Sequence, residues 1–241
     1  MTTYPKPNSP HASHPLSKLM QMLPPVVQGR LQHTRDAWRH RFLARTLPYR
    51  SIDDLVESMD EHHRHPCKRF LNEHFGRFTY APGSRHNHQA WVGGYQAHVA
   101  EVMNLAAVLY RVLNVLRPLP FSLSSLLFVL FWHDAEKPFL YESDGAGGWK
   151  MTDGLHGKAA RATFRLEELA RCGGHLTPEE ATALRFVEGE NEHTYSGEAR
   201  AMNELGALAH ACDVLSARLW HQHPQPNDSW DGSRPYADQR P

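Results

Sequence analysis

Apolar residues recur at helical spacing through the middle of the chain. From Ala97 to Leu116 they fall three and four positions apart, the period of a helix with one buried face. The run from Leu123 to Trp132 is apolar on every side, so we expect it to form a central, buried helix. This run is too short to cross a bilayer. We find no convincing strand pair, and the pattern therefore predicts an all-α fold with one helical domain over residues 30–220.

Capping residues and glycines predict where several helices begin and end. Ser51, with Asp54 three positions later, is typical of a helix start, and so is Thr177-Pro178 followed by Glu180. Gly173-Gly174 is a stop signal. The helices expected from these and similar signals are one after Ser51, Pro66 to about Phe75, one from Ser122 or Ser124 to Trp132, 158–172, one after Thr177, and about Ser196 to Trp220.

The two ends and one internal segment lack helical periodicity. Residues 1–25 are rich in Pro, Ser and His and are expected to form a disordered or loosely docked arm, and residues 221–241 a flexible tail. Residues 141–156 are glycine-rich and predict a loop that closes over a site as a lid.

Composition and charge limit the classes of binding partner and indicate the cellular compartment. The formal net charge is zero, so no global field draws the chain towards nucleic acid or acidic membranes. No signal peptide is visible, and the three cysteines form no CxxC motif, which indicates reduced thiols in a cytoplasmic protein. The segment 30–50 contains six arginines and one acid; it is interpreted either as a nucleic-acid contact or as an amphipathic helix with a solvated basic face. The sequence does not indicate an oligomeric state.

Four polar residues lie where the pattern predicts apolar surroundings. His98 borders the stripe of one helix, His133-Asp134 end the fully apolar helix, and Asp213 lies inside another apolar helix. Buried carboxylates are costly unless they are paired or bind a cation. One divalent ion would compensate all four groups, and two imidazoles with two carboxylates suit Mn, Fe, Co, Ni, Zn or Mg. The alternatives are a satisfied core histidine for His98 and an ion pair with Arg218 for Asp213.

These residues resemble the HD-domain metal-dependent phosphohydrolases. The resemblance rests on 88-HQAWVGGYQAHVAEV-102, on 133-HDAEK-137 and on the downstream Asp213, and it covers about residues 85–220. Departures from the family pattern occur at Gln89, Tyr95 and Glu136. The resemblance implies an HD-type helical domain in which His98, His133, Asp134 and Asp213 hold a first metal.

The same resemblance implies further site residues. His156 and His193 fall where binuclear members carry ligands for a second metal, which Asp134 would bridge; in a mononuclear site they would act on substrate. Glu192 stands where those members often have a histidine, and it becomes a candidate substrate-binding residue beside Arg85, His86, His88 and Trp149. The structural alternatives for these residues are surface-loop positions, and a loop anchor for Trp149.

The implied chemistry is hydrolysis of a phosphoester through a metal-activated water. A bound divalent ion lowers the pKa of water from about 15.7 towards 7 and polarises a phosphoryl oxygen. Asp134 and Lys137 are the candidate catalytic residues, and Lys137 would neutralise charge on the phosphate; alternatively, it is a solvated residue near a helix end. The expected partner is a phosphorylated small molecule or a short nucleic acid, and not a membrane.

Two other functions remain open at this point. The ligand order also resembles HD-type diiron oxygenases, which cleave a carbon bond with dioxygen, and both chemistries use the same scaffold. The third possibility is a non-catalytic binding module that the metal stabilises.

Overall fold

A computed structural model describes residues 23–28, 30, 49–84, 88–143, 145–146, 149–152, 155, 157–190 and 201–219. The chain divides into two compact units, residues 1–48 and 49–241. In the first unit the described residues form one helical turn, in which the N–H of Val27 donates to Pro24 O at 2.8 Å. Most of the predicted N-terminal arm, most of the arginine-rich segment and the predicted tail lie outside the described residues.

The second unit contains the helices of the predicted all-α fold. Most of the residues that the structure describes are helical and only two short strands occur among them, which confirms the predicted all-α fold class. The elements are α1 (Ile52–Glu57), α2 (Glu61–Tyr80), α3 (Gly94–Leu116), α4 (Leu123–Trp132), α5 (Lys137–Leu140), β1 (Tyr141–Ser143), β2 (Trp149–Met151), α6 (Lys158–Arg171), α7 (Pro178–Phe186) and α8 (Glu204–Leu219).

The core is built around α4, as its apolar sequence predicts. This helix contacts α2, α3, α7 and α8, and every residue from Leu126 to Trp132 is buried. Phe70 of α2 packs edge-on against Phe131 and Trp132, with ring centroids 5.9 and 5.0 Å away. A helix enclosed in this way fixes the position of whatever follows its last turn, which is His133-Asp134.

Three helix starts follow the predicted capping chemistry. The side chain of Ser51 accepts a hydrogen bond from the N–H of Asp54 at 3.0 Å, and Ser122 caps α4 in the same way. Thr177 and Glu180 form the full reciprocal capping box of α7. At the C-terminus of α6, Gly173 has φ +84°, the left-handed conformation that ends helices.

Other boundaries differ from the prediction. Helix α2 begins at Glu61 rather than at Pro66, and it continues past Phe75 to Tyr80 with non-helical dihedrals at His74. Proline removes one hydrogen bond but its fixed φ is helical, and burial of Pro66 accompanies the continuation of the helix. The start of α8 near Ser196 was also wrong for residues 201–203, because Asn203 caps the helix: its Oδ1 accepts from the N–H of Gly206 at 2.8 Å.

The expectation of no strand pair was wrong. The glycine-rich segment contains a short antiparallel hairpin in which Tyr141 pairs with Met151 and Ser143 with Trp149. Thr152 closes it by donating its N–H to Leu140 O at 2.9 Å. Strands of three residues carry too little alternation to be recognised in a sequence.

Helix α3 changes character along its length. Its residues from Val99 to Ala107 are buried in the core, whereas Val115 and Leu116 near its end are 86% and 77% exposed. By length and composition alone α3 would also suit a bilayer, but 44% of the relevant window is buried in the protein. A partly buried core helix meets the same criterion, so the helix is weak support for a membrane span.

Candidate metal centre

Four predicted ligands from three helical regions meet at one point. His98 lies in the second turn of α3, His133 and Asp134 directly follow α4, and Asp213 lies in α8. The Nε2 atoms of His98 and His133 are 3.2 Å apart. Asp213 Oδ1 is 3.2 Å from the first and 3.7 Å from the second. These helices are far apart in sequence, and their packing around α4 brings the ligands together.

The spacing suits a small divalent cation. The ligand atoms of His98, His133 and Asp213 all lie within 4.8 Å of one another. Asp134 Oδ2 is 3.6 Å from the Nε2 of His98 and 3.1 Å from that of His133. Ligand atoms about 2.0–2.1 Å from a tetrahedral metal are about 3.3–3.4 Å apart, so each carboxylate forms a triangle of suitable size with the two imidazoles.

The tautomers of the two histidines support the same conclusion. His133 Nδ1 lies 2.7 Å from Leu130 O, an acceptor only, so this nitrogen carries a proton. Ser216 donates its hydroxyl proton to Glu101 at 2.7 Å, and its oxygen therefore accepts from His98 Nδ1 at 3.0 Å. Both Nε2 lone pairs consequently face each other and require a positive charge between them, either a proton or a metal ion.

In the absence of a metal, a proton takes this place. Burial lowers the pKa of His98 to about 4. Burial also acts to lower the pKa of His133, but Asp134 and Asp213 outweigh it and raise that pKa to about 10. Despite their own burial, the pKa values of Asp134 and Asp213 fall because of His133. The cluster thus contains two carboxylate charges and one imidazolium charge. A neighbouring cation can compensate the remaining negative charge.

That neighbouring cation is Lys137. Its Nζ lies 2.5 Å from Asp134 Oδ2, and its side chain is 13% exposed. Burial opposes the charge, but Asp134 raises the pKa of Lys137, so the ammonium persists. Asp134 therefore lies between the imidazoles and the ammonium, and a metal bound to its Oδ2 would share this oxygen with Lys137.

A second ion pair, between Arg165 and Glu136, contacts the backbone of His133. Arg165 of α6 donates to the carbonyl of His133 and lies 3.6 Å from Glu136 Oε2. Burial, reinforced by Asp134, raises the pKa of Glu136 to about 7. The sequence reasoning missed Arg165, since an arginine in an amphipathic helix is usually solvated.

The two glycines at the start of α3, the N-cap Gly93 and the first helical residue Gly94, have a steric role. Gly93 has φ +81°, which a residue with a side chain rarely adopts. A Cβ on Gly94 would lie 1.8 Å from the carbonyl oxygen of Gln89. The glycines therefore allow the segment carrying His88 and Gln89 to cross closely over the start of the helix that carries His98.

The remaining predicted residues are only partly described. His88 is near the centre: its ring lies 5.2 Å from that of His98, and its Nδ1 is 2.6 Å from Gln89 Oε1. Trp149 lies in β2, where its backbone pairs with that of Ser143. The other candidates lie outside the described residues, so the second metal and most of the substrate contacts stay predictions: Arg85, His86, His156, Glu192 and His193.

Three residues around His98 were given no role in the sequence reasoning. Gln89, Glu101 and Ser216 are all buried and hydrogen-bonded to one another. The available signal was spacing: Glu101 follows His98, and Ser216 follows Asp213, by three positions, so each shares a helix face with a ligand.

In comparisons with known proteins, no family model, no curated protein and no solved structure matches this chain.

Proposed function

We propose that this protein is a metal-dependent phosphohydrolase of the HD type that acts on a phosphoester of a nucleotide or an oligonucleotide. The observation that supports the proposal best is the buried 3.2 Å approach of the Nε2 atoms of His98 and His133 between two carboxylates. A set of two His and two Asp suits Mn, Fe, Co, Ni, Zn or Mg.

His98, His133, Asp134 and Asp213 would hold the metal. When bound, a divalent cation supplies a water of lowered pKa and polarises a phosphoryl oxygen. The hydrogen bonds on both Nδ1 atoms hold the imidazoles in the orientation that coordination needs, because they fix the ring planes and leave Nε2 free.

Lys137 would bind the substrate phosphate. Its ammonium is partly exposed at the edge of the cluster and contacts Asp134, so it can contact an anionic oxygen without leaving its partner. Charge on that oxygen grows as the phosphoester bond breaks, and a fixed ammonium stabilises it.

His88 is oriented for proton transfer. Its Nδ1–H donates to Gln89 Oε1, which leaves Nε2 available to give or take a proton at the substrate. Its half-buried ring lies next to His98, and burial, reinforced by the charge of Lys137, lowers the pKa of His88.

The test combines metal content with product release. The purified protein is treated with chelator, reloaded with each candidate metal, and assayed for phosphate or mononucleotide release from nucleotides and short oligonucleotides. We expect Asp213→Asn to lose most of the metal and at least a hundredfold of the hydrolysis, since an amide cannot supply the anionic ligand. His62→Ala, which removes an exposed histidine of α2, is the matched control and should keep both.

Two results would contradict the proposal. Dioxygen consumption by the iron-loaded protein, with no phosphate release from any substrate, would favour the diiron oxygenase. Metal binding that survives Asp213→Asn unchanged would remove the proposed site altogether.

A further inference from the structure

A chain of buried hydrogen bonds lies behind His98, on the side away from the other ligands. It links Gln89, Glu101 and Ser216, which come from the segment before α3, from α3 and from α8. The Ser216 hydroxyl donates to Glu101 Oε2 at 2.7 Å and lies 3.0 Å from His98 Nδ1. Three separate parts of the chain thus meet in a network that reaches this imidazole nitrogen through Ser216.

With Glu101 as a carboxylate, which only accepts, the hydrogen-bonding capacity of these groups allows one arrangement of protons. A serine hydroxyl has one proton, and here it points to the carboxylate of Glu101. Its oxygen can then only accept from His98, so the proton of the imidazole lies on Nδ1. The same oxygen also accepts from Gln89 Nε2 at 3.3 Å, and that amide donates to Glu101 as well, at 3.1 Å.

The backbone of Gln89 is strained in order to reach this position. Its φ is +42°, the one positive value among the described residues other than glycine. A non-glycine residue in this region is strained, and such strain persists where the surroundings fix it. The side chain of Gln89 is completely buried, which indicates that its amide contacts hold the strained conformation.

We propose that Glu101, Ser216 and Gln89 form a positioning network that holds His98 with its proton on Nδ1, so that Nε2 is the metal-binding atom. The inference rests on the proposed metal site, and none of the three residues belongs to the proposed ligand set. The partner of His133 on Nδ1 is a backbone carbonyl of its own helix, so His98 is the ligand whose orientation depends on replaceable side chains.

The network is tested with Ser216→Ala, which removes the hydroxyl without adding volume. Loss of such a partner behind a ligating histidine typically weakens metal binding about 10- to 100-fold, and we expect that range here. Ser124→Ala is the matched control, because Ser124 is also buried and lies 2.7 Å from the Nδ1 of another buried histidine, His63. It should lower thermal stability to a similar degree and leave the metal affinity unchanged.

Two measurements separate this proposal from the proposed function. Metal affinity is measured by titration of the full-length protein with Zn²⁺ and Mn²⁺. The imidazole ¹⁵N shifts of metal-free protein are recorded by NMR, where we expect Nδ1 of His98 to be protonated in the wild type and mixed tautomers in Ser216→Ala.

Equal metal affinity in the Ser216→Ala and Ser124→Ala variants would overturn the network, and so would a wild-type His98 with its proton on Nε2. If the wild type binds no metal, the proposed function fails, and the NMR measurement alone decides the network. If metal affinity falls as expected but no phosphoester is hydrolysed, the network stands and the hydrolase does not.

Discussion

Replacement of Gly94 by alanine tests whether the start of α3 and the metal centre depend on one close approach. The added Cβ would lie 1.8 Å from Gln89 O and 2.7 Å from its carbonyl carbon, both backbone atoms, whereas real contacts are almost never shorter than 3.0 Å. The segment at Gln89 must therefore move by about 1.2 Å or more. This movement would stretch the hydrogen bond from Gly83 N–H to Gln89 O, now 2.8 Å long.

The expected cost follows from these contacts. Overpacking a tight site costs about 1–3 kcal/mol, and loss of one hydrogen bond about 0.5–1.5 kcal/mol. Alanine returns about 0.5–1 kcal/mol because it lowers the entropy of the unfolded chain. These contributions together give about 0.5–4 kcal/mol, so we expect Gly94→Ala to lower the free energy of unfolding by about 2 kcal/mol. At about 2–4 °C per kcal/mol, Tm should fall by about 4–8 °C.

Urea denaturation followed by circular dichroism measures the change, and Gly76→Ala is the control. Gly76 lies exposed in α2, and a Cβ there meets nothing within 4 Å, so this variant should be stabilised by about 0.5–1 kcal/mol. Because Gln89 supports the network behind His98, Gly94→Ala should also weaken metal binding and Gly76→Ala should not. Equal stability of the two variants would refute the steric reasoning.

Two pH dependences follow from the buried charges. Asp134 and Asp213 raise the pKa of His133 to about 10 against the effect of burial, so His133 must lose a proton when a metal binds. Metal affinity should therefore rise about tenfold per pH unit between pH 6 and 8, and a flat profile would contradict this. Calorimetry in buffers of different ionisation enthalpy should detect about one proton released. Although burial opposes it, His63 helps to lower the pKa of Glu180 to about 2, from an ordinary value of 4.5, so the stability it contributes is complete above pH 4.5 and is lost as pH falls towards 2. Acid denaturation of the wild type and of Glu180→Gln should diverge over that interval, and parallel curves would remove the pair as a source of acid sensitivity.

Local chemistry explains which elements the sequence could predict. The caps at Ser51 and Thr177 and the left-handed Gly173 act within one helical turn, so their residues are adjacent in sequence. The short hairpin could not be predicted, because three residues per strand leave no period to detect. The start of α8 depends on Asn203, and because asparagine is equally common in turns, its capping role is not evident from the sequence alone.

In the metal centre, some residues can be predicted from the sequence and others cannot. A carboxylate in an apolar stretch has a large desolvation cost if it is buried. Asp134 and Asp213 can therefore be recognised from the sequence alone, and they imply a compensating cation. Ser216 and Arg165 carry no such signal, since a serine or arginine in a helix is usually harmless at the surface. Their importance arises only from contacts across the chain: 118 positions separate Ser216 from His98, and 32 separate Arg165 from His133. Residues that bear the cost of buried charge can therefore be predicted from one sequence, whereas residues that orient them depend on how the helices pack.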